Sequence, residues 1–163
     1  MNKALRAAAA AAALALALPA AQAATTSNNF NVTVTLTSQC AATNSGTTTV
    51  AFGTYVAFQV AAATGTAVNL TFQCTRGFLP VSAAFDVVNG TAAGVGVVQG
   101  LQYTLTAAAP TSVAGTAATT ATIGTGDIKT YNITGTMPAG QAGTCATNSC
   151  GPTTQLRTLI VTF

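Results

Sequence analysis

The sequence is unusual for the chemical groups that it lacks. Its 163 residues include no histidine and no tryptophan, and its only acidic residues are Asp86 and Asp127. An enzyme needs groups that donate, accept or attack at working pH, and neither aspartate belongs to a recognisable motif. The glycine before Asp127 indicates a turn, and the alternation around Asp86 places it on the solvent face of a strand. We therefore predict that the chain is not an enzyme and has no cofactor.

Long hydrophobic runs are also absent. The longest covers residues 7–18, which is short of the roughly 20 residues that a membrane-spanning helix needs. It follows Lys3 and Arg6 and precedes a run of small residues that ends at Ala23. This layout is typical of a secretory signal peptide. We predict a signal peptide over residues 1–23, export, and no insertion of the remaining chain into a membrane.

Positive charge is scarce once this segment is removed. Residues 24–163 keep Arg76, Lys129 and Arg157 against two aspartates. Nucleic acids and anionic membranes are bound by clustered Lys and Arg, so neither is predicted as a partner. A weakly charged surface also puts little repulsion between copies of a chain. That property suits a subunit that packs against its neighbours.

Four cysteines follow the predicted cleavage site. An even number in an exported chain is typical of two disulfides, and Cys40, Cys74, Cys145 and Cys150 allow three connectivities. Cys145 and Cys150 are close enough to close one small loop, which leaves Cys40 and Cys74 for a longer one. A zinc site is the alternative, but the chain has neither a histidine nor a CxxC pair. We predict disulfides and no metal.

Apolar and polar residues alternate in several segments, which predicts strands with one buried face. The four clearest segments are residues 30–36, 68–72, 101–105 and 159–163. Weaker candidates are residues 49–52, 81–87, 119–123 and 128–134. Seven to nine short strands with turn residues between them predict an all-β chain, and a β-sandwich in particular.

The first alternating segment has two interpretations. Its alternation places Phe30, Val32, Val34 and Leu36 on one face. In the first interpretation it is the first strand of the chain's own sandwich. In the second it leaves its own domain and completes the sheet of a neighbour, with main-chain hydrogen bonds giving affinity and alternate side chains giving specificity. The pattern alone does not separate the two.

Six pieces of the chain resemble the spore coat protein U domain, the subunit family of archaic chaperone–usher pili. They are FNVTVTLTSQC (30–40), VAFGTY (50–55), VNLTFQCTRG (68–77), LQYTL (101–105), ITGTMPAGQ (133–141) and TLIVTF (158–163). Their order and spacing fit nearly the whole chain after the predicted signal peptide. One stretch departs from the family: members commonly carry Gly-x-Tyr-x-Asp before the last strand, where this chain has a cysteine-bounded loop within residues 143–152.

The resemblance implies an incomplete immunoglobulin-like β-sandwich that a donor strand from a neighbouring subunit completes. Residues 24–36 would form the donor-strand extension, running into the first strand, and residues 37–163 the pilin domain. Phe30, Val32, Val34 and Leu36 would then be the inserted side chains.

Two further sets of residues are carried over from the family. Cys40 and Cys74 match its disulfide. Leu159, Val161 and Phe163 match the C-terminal strand, which borders the groove and pairs with the chaperone.

The resemblance also implies the partners and the location. The partners would be identical or related pilin subunits, a periplasmic chaperone and an outer-membrane usher. The chain would pass through the periplasm into a cell-surface pilus that serves adhesion or biofilm formation. The alternative is a secreted coat or matrix protein that completes its own sheet and does not polymerise.

Overall fold

The computed structural model describes residues 26–44, 46–88 and 91–163. The predicted signal peptide, residues 1–23, lies outside these ranges, as do the first two residues of the predicted extension. The chain divides into two units, Met1–Thr35 and Leu36–Phe163, and we call the second unit the body. The described residues contain strands and no helix, which confirms the all-β prediction.

All nine strands of the described chain belong to the body. They are β1 (Cys40–Ala42), β2 (Ala63–Thr64), β3 (Val68–Cys74), β4 (Ser82–Phe85), β5 (Val95–Val98), β6 (Leu101–Ala107), β7 (Thr111–Val113), β8 (Asp127–Met137) and β9 (Leu159–Thr162). In the described ranges no helix is long and apolar enough to cross a membrane.

Seven of these strands form one antiparallel sheet around β8. Along one edge, β8 pairs with β3 over its first residues and with β2 over its last. Along the other edge, it pairs with β7 over its first residues and with β6 over its last. β1 and β5 lie at the two edges of the sheet. Alternate residues of β8 are buried from Asp127 to Met137, so one face of this central strand covers the core.

The strand register gives the body two distinct ends. Cys40 lies opposite Cys74, and Cys74 lies opposite Asp127. Ala63 lies opposite Met137, at the other end of β8. We call these the Cys40 end and the Met137 end. β8 has 11 residues, so the two ends are about 35 Å apart.

β4 and β9 form a second sheet of two strands. Its inner side packs on the large sheet, because Leu159 shares a buried cluster with Tyr131 and Ile133. A second cluster around Tyr103 and Met137 fills the Met137 end. Two sheets packed face to face are consistent with a sandwich-like class.

Five of the eight predicted strands are present, and three are not. β3, β6 and β9 cover the alternating segments, and β8 covers the weaker candidate at residues 128–134. The strand predicted over residues 119–123 is wrong: the Thr119 hydroxyl accepts hydrogen bonds from the N–H groups of Ala121 and Thr122, which closes a local turn. Residues 30–36 and 49–52 also form no strand in the described chain.

Both pairs of cysteines are joined in the body. Cys40–Cys74 links β1 to β3 at directly opposed positions. Cys145–Cys150 closes an exposed loop before β9. Two disulfides in a chain of this length are typical of secreted and extracellular proteins.

Candidate functional site

In the described chain the second sheet has two unpaired edges, one on β4 and one on β9. Among the described residues, β9 pairs with β4 alone, so no strand covers its other edge. The backbone N–H and C=O groups along such an edge are a template for pairing with another chain. The edge of β9 is therefore the first element of a candidate site.

Apolar side chains beside this edge are incompletely covered. Val68, Leu70 and Phe72 of β3 belong to the same cluster as Tyr131 and Ile133, yet they are only half-buried. By contrast, Tyr131 and Ile133 are each 3% exposed. The face of β8 is thus fully covered, whereas the neighbouring face of β3 is covered only in part. We call the unpaired edge of β9, together with these three β3 side chains, the open face.

Along β9 the alternate residues Leu159 and Val161 face the core, while Ile160 between them is 52% exposed. Leu159 is buried, Val161 is half-buried, and Phe163 is 52% exposed. The ring of Phe163 lies edge-on to Phe78, with ring centroids 6.2 Å apart. Exposure of these alternate residues therefore increases from Leu159 to Phe163, which directly follows β9.

A network around Arg157 fixes the start of β9. The guanidinium donates from Nε to Asp86 Oδ1 at 2.9 Å and from one terminal nitrogen to the Tyr103 hydroxyl at 3.0 Å. The same terminal nitrogen donates to the Val95 carbonyl at 3.0 Å, and the other donates to the Asp86 carbonyl at 2.9 Å. β9 is thus anchored beside β4 and β6 while its other edge stays unpaired.

The contacts at the start and end of β9 show in which direction it runs between the two ends of the body. Tyr103 clusters with Met137, so Arg157 and the start of β9 lie toward the Met137 end. At the far end, Phe163 contacts Phe78, whose N–H donates to the Thr75 carbonyl next to Cys74. β9 therefore runs from the Met137 end to the Cys40 end.

The predicted donor segment presents its apolar face to solvent. Residues 26–39 form neither helix nor strand. Phe30, Val32 and Val34 are each 86% exposed, and Leu36, the first residue of the body, is 76% exposed. The described chain thus contains an exposed, alternating apolar segment and, separately, an open face.

Two ion pairs use four of the five charged residues after the predicted cleavage site. Lys129 Nζ lies 3.6 Å from Asp127 Oδ2, with side chains 4% and 9% exposed. Arg157 pairs with Asp86. Both aspartates differ from the prediction: Asp127 begins β8 instead of forming a turn, and Asp86 follows β4 as a partner of Arg157 instead of facing solvent. Only Arg76 stays exposed, so the surface of the body is almost uncharged.

Asp127 ties three segments together at the Cys40 end. Its Oδ1 accepts from the Gly115 N–H at 2.8 Å, and its Oδ2 accepts from the Gly77 N–H at 3.0 Å. These two backbone bonds, with a smaller contribution from Lys129, hold the pKa of Asp127 below its usual value, although burial opposes them. Hydrogen bonds to a carboxylate favour its charged form.

This lowered pKa predicts acid sensitivity. Stability that comes from ionised Asp127 is complete above the ordinary aspartate pKa of about 4 and is lost as pH falls through the lower folded value. We expect the thermal midpoint of residues 24–163, here called the mature chain, to fall between about pH 5 and pH 3. Asp127→Asn should lower the midpoint at pH 7 and flatten this fall. An unchanged pH dependence in Asp127→Asn would contradict the role of Asp127.

Sequence reasoning did not single out Val68, Leu70 and Phe72 as site residues. Their alternation marks them as one face of a strand. It does not show that the second sheet is too narrow to cover that face, because the number of strands in a sheet is set by tertiary pairing. Arg157 was missed for a similar reason, since its partners Asp86 and Tyr103 are distant in sequence.

The candidate site therefore consists of the open face and the exposed segment at residues 30–36. Neither contains an arrangement of acid, base or nucleophile, and both offer strand-pairing groups and apolar side chains. Comparisons with protein-family models, with curated proteins and with solved structures find no match to this chain.

Proposed function

We propose that this chain is a structural subunit of an extracellular fibre, in which the N-terminal extension of one copy completes the sheet of the next. One observation carries the proposal: the same chain has an exposed alternating segment that forms no strand and a sheet edge that lacks one. In strand addition, main-chain hydrogen bonds give affinity and alternate side chains give specificity. The unpaired edge offers the main-chain hydrogen bonds, and the exposed segment offers the alternate apolar side chains.

The energetics favour such an exchange. Phe30, Val32, Val34 and Leu36 are mostly exposed in the single chain, and burying four side chains of this size contributes on the order of 6–12 kcal/mol before ordering costs. Ordering the backbone of the segment opposes part of this gain. The nearly uncharged surface adds little repulsion between copies. The balance supports a stable polymer of identical or related subunits.

Before assembly the open face needs protection. An unpaired edge beside exposed apolar side chains is an aggregation hazard. A periplasmic chaperone that pairs with β9 and covers the open face would meet this need, and an outer-membrane usher would exchange it for the extension of the next subunit. The fibre would lie on the cell surface, where it would serve adhesion or biofilm formation.

Deletion of residues 24–34 tests the proposal against a coat protein that completes its own sheet. A fibre subunit is expected to keep the far-ultraviolet spectrum of its body but to lose the ladder of polymers on an SDS gel of unheated material. The intact chain should give that ladder, and boiling should collapse it to one band. A single monomer band for the intact chain, with unfolding on deletion, would show a self-completed domain.

A further inference from the structure

We infer that neighbouring copies make a second contact: the loop at residues 55–60 of one copy docks on the Cys40 end of the next. This inference rests on the proposed function. It concerns a surface separate from the open face, and it assigns to that surface a second copy of this chain as its partner.

The loop displays apolar side chains in water. Val56, Phe58 and Val60 are 64%, 70% and 99% exposed. Neither the loop nor the neighbouring residues 138–141 contain a charged residue. Exposed apolar groups that cluster on one loop are typical of an interaction site, and the absence of charge suits an uncharged protein surface.

Hydrogen bonds hold this loop in one conformation. The Phe58 N–H donates to the Gln141 carbonyl at 2.8 Å, and the Gly140 N–H donates to the Gln59 carbonyl at 2.8 Å. The Tyr55 hydroxyl donates to the Pro138 carbonyl at 2.7 Å. The loop is therefore fixed to the Met137 end, and docking it needs little further ordering.

The backbone at Phe58 is strained. Its φ is +63°, in the left-handed region that glycine adopts easily and that other residues adopt at a cost. The chain thus holds a large apolar ring in solvent at a position whose backbone conformation favours glycine. Strain of this kind is concentrated at functional sites.

The linker between the extension and the body is too short to separate two copies. Residues 37–39 lie between Leu36 and Cys40. Gln39 is already fixed to the body, because its carbonyl accepts from the Thr75 N–H at 2.9 Å and its N–H donates to the Thr75 hydroxyl at 3.0 Å. Only two residues are left to span the gap, which limits it to about 10 Å. The Cys40 end must lie against the neighbour.

The direction of β9 decides which end of the neighbour it meets. β9 runs from the Met137 end to the Cys40 end, and each strand pair of the body is antiparallel. A strand added antiparallel to β9 leaves the neighbour at the Met137 end, where the loop lies. The linker then leads to the Cys40 end of the copy that donates the strand. This end has its own exposed apolar residues, Leu79 and Val113, which are 73% and 67% exposed. Apolar surfaces therefore face each other across the linker.

Phe58→Gly in the full mature chain tests this contact. The change relieves the backbone strain and removes a side chain that packs little in the body, so the body should fold at least as well. The SDS-resistant ladder should remain, since the strand linkage is untouched. By electron microscopy, the spread of the angle between successive copies should widen about twofold or more, because bodies without an apolar interface move freely. Val97→Thr, in β5 and outside both the open face and the loop, with Val97 43% exposed, is the matched control and should behave like the unaltered chain.

The outcomes separate this inference from the proposed function. If the unaltered chain gives no ladder, the proposed function fails. If it gives a ladder but Phe58→Gly leaves the angle distribution unchanged, the fibre model stands and the second contact is wrong. An equal widening in Val97→Thr would also overturn the assignment of this contact to the loop.

Discussion

Replacing Val32 and Val34 together by aspartate is expected to abolish the fibre. Both residues are 86% exposed in the single chain, so the body should keep its thermal midpoint. In the fibre both would enter the open face of a neighbour, where a carboxylate has no partner among Val68, Leu70 and Phe72. Burying an unpaired charge costs several kcal/mol. The polymer fraction should fall by at least about a hundredfold, because each 1.4 kcal/mol is a factor of ten.

The matched control places the same charges on the other face of the segment. Thr33→Asp with Thr35→Asp adds the same net charge to the same stretch of chain. In an added strand these positions point to solvent, so assembly should stay within a few-fold of that of the unaltered chain. Both variants are measured by sedimentation and by an SDS gel of unheated material. Equal loss of polymer in the two variants would show that charge alone, and not insertion of one face, prevents assembly.

Strands that bury one apolar face were predictable from local pattern. Val68, Leu70 and Phe72 alternate with polar residues, as do Leu159 and Val161, and both segments are strands. Such alternation records which side chains meet the core and needs no knowledge of the partner strand. For this reason the all-β class and the strands β3, β6 and β9 follow from the sequence.

The central strand was harder to recognise, because charged residues occupy its buried face. Asp127 and Lys129 are 6% and 3% exposed and share that face with Tyr131 and Ile133. The alternation of apolar and polar residues is therefore interrupted in the first part of β8, although that part is buried. Asp127 and Lys129 pair with each other, and Asp127 also accepts from the Gly77 and Gly115 N–H groups. Gly77 lies 50 residues before Asp127, so its contact leaves no trace in the local pattern.

The candidate site was only partly predictable for a related reason. The alternation of residues 30–36 identified an apolar face but not whether the chain itself covers it. That depends on the second sheet, which contains β4 and β9 alone. The width of a sheet is a property of tertiary pairing, so the open face is visible only once the register of β9 on β4 is known.

Removing the Cys40–Cys74 disulfide by two alanine substitutions is expected to destabilise the mature chain by about 4 kcal/mol. The bridge spans 34 residues of sequence, and in the chain-entropy model a longer closed loop restricts the unfolded state more. We expect the urea midpoint under non-reducing conditions to fall by about 2–3 M. The fold should weaken first at β1, an edge strand with only three residues that depends on β3 for its pairing.

Cys145→Ala with Cys150→Ala is the matched control, because it removes a bridge of the same chemistry that spans only 5 residues. Its expected cost is about 2 kcal/mol in the same model.

The two variants should also differ in their effect on assembly. β1 lies next to β3, whose inner side chains form part of the open face, so the Cys40–Cys74 variant should assemble less as well as unfold more easily. The exposed loop at residues 145–150 lies outside that face, and its variant should keep the polymer ladder. Equal losses of stability in the two variants would mean that loop closure does not set the contribution of either bridge. Normal assembly without Cys40–Cys74 would mean that the open face does not depend on β1.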